Sequence, residues 1–412
     1  MIQTALISAP GRSGDRIFRR SLLERLVVSC ERVGVKRIYV QAAAGDRERV
    51  TKSLGHFAFD RRVSIVDSFE QLMRGPFGLD PSEPCVRLSG NLVLPTSHLN
   101  RILEKSRGRS GPVVNTVSAD HERGGSISTG PLAELIRADR ARATVMHTSN
   151  YLPFALNGRV EDRDEAELRL ARALKEETAA KDAPLARYVD RNLSWRISRR
   201  LAQTAITPNQ VTLTNTVVGL TSAWLFAQPS YWLRLIGSLL FLFSIMIDGV
   251  DGELARLTMT ETKFGGMLDL ITDNIVHIAL FVAIYVGCYR ASGSHNYVYL
   301  IPIVLGGFGM CAIATYLAMQ FTGEEAEEWL GQVDRVTGRD FAYLLVVFAL
   351  FNRLDYFAWG TAFGTYVFAI VLAYMTYRKW SRAKASSIAS ESPSETESIS
   401  ETESTSKTAR AI

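Results

Sequence analysis

The sequence predicts a multi-domain protein: an N-terminal α/β domain precedes an all-α bundle of six transmembrane helices. Three observations carry this expectation. Mean hydropathy is near neutral at +0.05, yet the first half is charged and mixed, the stretch from about 210 to 377 is mostly apolar, and the tail is polar. Short apolar runs alternate with helical patterns up to about residue 155, and six apolar segments follow. A length of 412 residues accommodates two or three such units.

In the first unit, residues 1–155, strands are expected at Thr4–Ser8, Arg37–Gln41, Val63–Val66, Val86–Ser89 and Val113–Val117. Helices are expected near Asp15–Val33 and Arg47–Leu54. This alternation argues for a mostly parallel, Rossmann-like sheet covered by helices. Residues 156–206 are charged and helical in pattern. Within them, Asp182–Thr204 sets Leu185, Tyr188, Leu193, Trp195, Ile197 and Leu201 among arginines, the pattern of an amphipathic helix lying on a membrane surface.

Residues 207–378 form the membrane unit. Its apolar segments are Val211–Ala227, Trp232–Ile247, Phe264–Tyr289, Tyr297–Phe321, Phe341–Phe351 and Tyr356–Tyr377, the fifth being short for the roughly 20 residues a span needs. Arg187, Arg191, Arg196, Arg199 and Arg200 precede the first segment, and Arg378, Lys379, Arg382 and Lys384 follow the last. Six crossings put both clusters on one side, so the positive-inside rule predicts a multi-pass protein with both termini cytoplasmic. The acidic run Glu324–Glu328 falls on that side too, where acids carry little topological weight. Residues 379–412 are rich in Ser, Glu and Thr and are expected to be disordered.

The net charge of +5 is modest. No base-reading module accompanies the arginines, so nucleic acid is not an expected partner. Cys30, Cys85, Cys288 and Cys311 have no metal-ligand spacing and suggest neither a zinc site nor a disulfide framework.

The chemistry is concentrated between Asp248 and Asp273. Asp248 and Asp251 stand three apart at the end of the second apolar segment. Asp269 and Asp273 stand four apart, on one face of the third. Ionised side chains in membrane segments are costly and usually functional. Four carboxylates in a small volume need cations, and oxygen-only ligands suit Mg²⁺ or Mn²⁺, two ions being expected. Gly252 and Gly265 leave room for a close ligand, and Arg256 offers charge-assisted bonds to a phosphate. A transporter whose acids relay cations is the rival class, and it would place the acids near mid-bilayer in broken helices.

The run Asp-x2-Asp-Gly-x2-Ala-Arg-x8-Gly-x3-Asp-x3-Asp, filled by Asp248, Asp251, Gly252, Ala255, Arg256, Gly265, Asp269 and Asp273, resembles the signature of the CDP-alcohol phosphotransferase family. Thr207-Pro208-Asn209-Gln210-Val211-Thr212 resembles that family's lead into its first helix. The resemblance implies an integral membrane enzyme, a homodimer among membrane lipid. It would move a substituted phosphate from a CDP-linked donor to a hydroxyl acceptor and release CMP. It implies Asp248, Asp251 and Asp269 as metal ligands and Asp273 as ligand or base. Gly252, Ala255, Arg256 and Gly265 would shape the CDP pocket, on the cytoplasmic side. Asn209 is a further candidate for the nucleotide and Arg339 for an acceptor phosphate. His277, one turn beyond Asp273, is expected to pack in the bundle.

The opening Ala5-Leu-Ile-Ser-Ala-Pro-Gly-Arg-Ser-Gly-Asp-Arg and the run Gly34-Val-Lys-Arg-Ile-Tyr-Val resemble a sugar-phosphate nucleotidyltransferase. Fusion of such a domain implies inositol chemistry, in which CDP-inositol made by one domain feeds the other and inositol phosphate is the acceptor. Two departures weigh against activity of this domain. Pro10-Gly11-Arg12-Ser13-Gly14 lacks the family's Gly-Thr-Arg loop, and Asn91 stands where a metal-binding Asp is expected. The expectation is therefore a degenerate domain, with a bifunctional enzyme as the alternative.

Overall fold

A computed structural model of the chain describes residues 2–9, 13–74, 77–106, 113–116, 126–137, 144–145, 154–156, 160–179, 191–322 and 341–391. Arg187, Arg339, the 10–12 loop and the Glu324–Glu328 run lie outside them.

The α/β domain is built on a seven-stranded sheet. Strands β1 (Thr4–Ser8), β4 (Arg37–Gln41) and β5 (Val63–Val66) run parallel on one side. Strand β6 (Pro84–Ser89) pairs parallel with the other edge of β1. Beyond it lie β9 (Ser126–Pro131), β8 (Val113–Thr116) and β10 (Thr144–Val145), giving the order β10-β8-β9-β6-β1-β4-β5. Strand β9 runs antiparallel to both neighbours, the one departure from a parallel sheet among the described strands. The chain crosses from one side of β1 to the other at the β1/β6 boundary, the switch point beside which ligands of such sheets bind. There the Gly90 N–H donates to the Ser8 carbonyl at 2.7 Å, and a Cβ on Gly90 would stand 2.6 Å from that oxygen. Gly90→Ala is therefore expected to cost about 1–3 kcal/mol, visible as a lowered first transition in a thermal melt of the full chain.

The helix expected over Asp15–Val33 starts later. A hairpin of β2 (Arg16–Ile17) and β3 (Arg20–Ser21) turns through Phe18 and Arg19, both at positive φ (44° and 74°). Helix α1 (Leu22–Arg32) begins only after it. The reason is local. The Glu24 N–H donates to Ser21 Oγ and the Ser21 N–H to Glu24 Oε2, a reciprocal capping box that fixes the first turn. Gly34, at φ 88°, closes the helix, and the next amide, of Val35, reaches back to the Cys30 carbonyl at 3.0 Å. Burial pushes the Cys30 thiol up to about 12, leaving it a core residue without reactivity.

Helices α2 (Arg47–Leu54), α3 (Thr96–Ser106) and α4 (Leu132–Arg137) complete the layers, and β7 (Leu92–Val93) pairs with β11 (Phe154–Ala155). Helices α5 (Val160–Ala179) and α6 (Arg191–Leu201) follow. The described part of the expected amphipathic helix, α6, does not reserve its apolar face for lipid. Trp195 is buried in a core that also holds Ile17, Phe18, Leu170, Leu254 and Leu257.

The apolar region forms six long or apolar helices at the expected places: α7 (Pro208–Phe226), α8 (Tyr231–Asp248), α10 (Lys263–Ser292), α11 (Asn296–Thr322), α12 (Phe341–Leu350) and α13 (Leu354–Glu391). A short helix, α9 (Val250–Thr258), stands between the second and third. Among the described residues, four helices are long and apolar enough to cross a membrane, and α12 is a shorter apolar helix. Large apolar side chains such as Trp224, Trp232, Ile313, Val367 and Ile370 are exposed, as a bundle with a lipid-facing surface requires. Pairs of small residues let backbones approach: a Cβ on Gly307 would sit 2.1 Å from Thr365 Oγ1 of α13. The tail departs from expectation. Helix α13 continues through Glu391, because the Arg, Lys and Ala residues after Tyr377 are good helix formers and no Gly or Pro stops them. Residues beyond 391 lie outside the description.

The chain divides into two compact units, Met1–Thr216 with Ile245–Thr272, and Val217–Ser244 with Asp273–Ile412. The first contains α9 together with the whole α/β domain.

Candidate active site

Asp248 is the last residue of α8, Asp251 lies in the first turn of α9, and Asp269 and Asp273 lie one turn apart on α10. Asp248, Asp269 and Asp273 each offer a carboxylate oxygen, and these oxygens all lie within 4.8 Å of one another at partly buried positions. Asp251 is distinct from this group. It is buried, its Oδ1 accepts from the Gly252 N–H at 2.6 Å, and its Oδ2 accepts from the Thr212 hydroxyl. Its side chain is also within hydrogen-bonding reach of Asp269.

This arrangement passes the test for a hard divalent cation. Three negative carboxylates so close together repel strongly in a partly desolvated site, and oxygen donors in this number suit Mg²⁺ or Mn²⁺. Three of the four predicted ligands thus form one group. The fourth, Asp251, is anchored beside it by Thr212, a residue within the quoted lead-in segment whose role the spacing did not disclose.

The two signature glycines differ. A Cβ on Gly252 would meet Arg256 Nη1 at 3.4 Å, an ordinary contact, so the protein itself tolerates a side chain there. The Arg256 guanidinium lies over the position that Gly252 leaves bare. A Cβ on Gly265 would come within 3.1 Å of both Asn209 Oδ1 and Thr262 Oγ1, a tight fit that a side chain could enter only if these two shifted, and it places Asn209 beside the start of α10. Arg256 lies one turn beyond Gly252 on the same face of α9, and Ala255 is buried next to it. Ile206 and Thr207 lead into α7 through a reciprocal cap, with the Gln210 N–H donating to Thr207 Oγ1 and the Thr207 N–H to Gln210 Oε1. His277 packs as expected, with Nδ1 2.7 Å from the Asp273 carbonyl and its ring against Phe241 and Phe341.

Glu253 was missed in the sequence because it occupies a variable position of the signature. It is fully buried, and both its oxygens accept from α6: Ser194 Oγ to Oε1 and Ser198 Oγ to Oε2, each at 2.7 Å. In the α/β domain, Asn91 Nδ2 donates to the Leu156 carbonyl at 3.3 Å, and the Leu156 N–H returns to the Asn91 carbonyl at 3.0 Å. The amide thus ties β11 to the switch point, a bond a carboxylate there could not donate.

Residues 205–379 match the CDP-alcohol phosphatidyltransferase family. Among curated relatives, a "Bifunctional IPC transferase and DIPP synthase" of Archaeoglobus fulgidus is 27% identical over 230 residues, 55% of this chain and 43% of that protein. That alignment is longer than the family segment. The protein of the same description from Aquifex aeolicus is 35% identical over 100 residues, 24% of this chain and 22% of that protein. An "Archaetidylinositol phosphate synthase" of Pyrococcus horikoshii is 30% identical over 92 residues, 22% of this chain and 47% of that protein. In each of these matches the chain spans less than half the relative's length. Residues 205–379 are a CDP-alcohol phosphatidyltransferase domain, and its presence supports transferase activity in the chain.

Proposed function

We propose that this chain is a divalent-metal-dependent, membrane-embedded transferase of inositol phosphodiester chemistry. In this reading the membrane domain transfers a substituted phosphate from a CDP-linked donor to a hydroxyl of an inositol phosphate and releases CMP. The α/β domain supplies CDP-inositol as the donor. The observation that carries the transferase half is the gathering of Asp248, Asp269 and Asp273 into one group of carboxylate oxygens. When bound, a divalent cation would polarise the diphosphate and stabilise the charge on its oxygens.

The chain's own residues supply the rest. Asp248 and Asp269 would hold the cation, with Asp251 fixing the turn between α8 and α9 through Thr212 and Gly252. Arg256, whose guanidinium lies over Gly252, would bind a diphosphate oxygen. Ala255, Gly265 and Asn209 would shape the nucleotide pocket. Asp273, the last acid along α10, would take the proton of the attacking hydroxyl. The basic clusters support placing this site at the cytoplasmic face. A family match to a transferase argues against the cation-transporter reading.

The sequence alone favoured an idle α/β domain and kept the donor-making one as the alternative. The relatives described as bifunctional support the alternative. A second reading rests on Asn91, whose amide is committed to Leu156 and which offers no carboxylate for a metal. One experiment separates them: purified full-length protein is incubated with CTP, inositol phosphate and Mg²⁺, and products are resolved by mass spectrometry. CDP-inositol formation is the expected result. Its absence, with CMP still released from added CDP-inositol, would assign the α/β domain a supporting role only.

A further inference from the structure

A buried side chain of the α/β domain reaches the helix that carries Asp251, Gly252 and Arg256. Arg25, on α1, is only 4% exposed, and its Nη1 donates to the Leu257 carbonyl of α9 at 2.7 Å. The last carbonyls of a helix have no partner within it. In α9 two are satisfied by the chain's own reversal: Met259, at φ 53°, donates to Arg256, and the Thr260 N–H donates to Ala255 at 2.9 Å. Leu257 is the next carbonyl in that row, and Arg25 covers it. A guanidinium at the carboxyl end of a helix is also favoured by the helix dipole.

Three further contacts hold the same helix end. The Met259 side chain is buried in the α/β core with residues of α1 such as Val27 and Cys30. Arg32 forms a bidentate pair with Glu261. Leu254 and Leu257 pack with Ile17, Phe18 and Leu22. Leu257 directly follows Arg256, and α9 also carries Asp251 and Gly252. The α/β domain therefore grips the peptide next to the residue assigned to the diphosphate.

We infer that Arg25 is a positioning residue of the transferase site: by fixing the carboxyl end of α9 it sets where Arg256 meets a CDP-linked diphosphate. The inference rests on the transferase reading proposed above. It gives the α/β domain a role in the transferase reaction that is independent of any chemistry of its own. The contact is between backbone and side chain 232 positions apart, so it cannot be a local helix effect.

The test uses the full chain in detergent, with CDP plus Mg²⁺ as the probe in calorimetric titrations and CMP release as a second readout. Binding at the transferase site is the part of the CDP titration that Asp269→Asn removes. Arg25→Met keeps the buried volume apolar and avoids an unpaired charge, so it preserves the fold better than alanine. Arg25→Met is expected to weaken CDP binding about tenfold, from the loss of one charge-assisted hydrogen bond. KM for the donor should rise in step while kcat changes less. Arg25→Lys, which can still donate to Leu257, should recover most of the affinity. Wild-type CDP affinity in Arg25→Met overturns the inference. So does an equal loss in both variants that tracks a fall in melting temperature, because the role is then only structural. A wild-type chain that neither binds CDP with Mg²⁺ nor releases CMP overturns the transferase reading as well, a different and recognisable outcome.

Discussion

Asp269→Asn is expected to abolish metal-dependent CMP release while the protein still inserts into membranes. The asparagine keeps the shape of the side chain but replaces an anionic ligand with a neutral one in the Asp248–Asp269–Asp273 group. Loss of a cation's stabilisation of the reacting phosphate corresponds to several kcal/mol, hence a fall in kcat/KM of about a thousandfold. Asp273→Asn should be equally severe but differ in kind. It should retain more Mg²⁺ affinity if its main role is to take the acceptor's proton. The two variants are compared by CMP release across a Mg²⁺ titration. Substantial activity in Asp269→Asn removes the metal assignment.

The second large effect is expected at Glu253. Replacing it with alanine removes the carboxylate acceptor of the buried Ser194 hydroxyl, at about 1–3 kcal/mol, and leaves the Ser198 hydroxyl only its long bond to the Val250 carbonyl at 3.4 Å. Helix α6 should then separate from α9, and trypsin should cut at Arg196, Arg199 or Arg200 much faster than in the native protein. CMP release should fall with it, because α9 carries Asp251 and Arg256. Glu253→Gln retains an acceptor oxygen and should be far milder. Equal protease resistance of the alanine variant and the wild type would show that the α6–α9 clamp is dispensable.

How much of this was legible in the sequence depended on whether the determining interactions were local. Strands such as Arg37–Gln41 and Val63–Val66 announce themselves as β-branched runs between turn residues. The helix expected near Arg47–Leu54 is present as α2. Asp269 and Asp273 were visible as a pair because a helix converts a spacing of four into one face, whereas Asp248 and Asp251, three apart, fall on two different helices. By contrast, β9 (Ser-Ile-Ser-Thr-Gly-Pro) has little apolar character and owes its place to two antiparallel neighbours. The β2–β3 hairpin was hidden because it turns through Phe18 and Arg19, which carry no turn signature, although the Ser21–Glu24 capping box after it could have been read.

The site divides in the same way. The signature named the acids, but not that Asp251 would be held apart by Thr212. Trp195 read as a membrane-facing residue of an amphipathic helix because the sequence does not show which apolar surface it meets. Nothing in the sequence singled out Arg25 in α1. Only the fold reveals that its partner is a helix end more than 200 positions away.

The most direct measurement of the central claim is divalent-dependent release of CMP by the purified full chain. CDP-inositol is the donor, inositol phosphate the acceptor, and the co-product is identified by mass. The account predicts CMP and an inositol phosphodiester in equal amounts, both lost on chelation and restored by Mg²⁺. CMP release that is insensitive to chelation would contradict it. So would the absence of CMP from CDP-inositol and CDP-diacylglycerol alike in a protein that binds Mg²⁺.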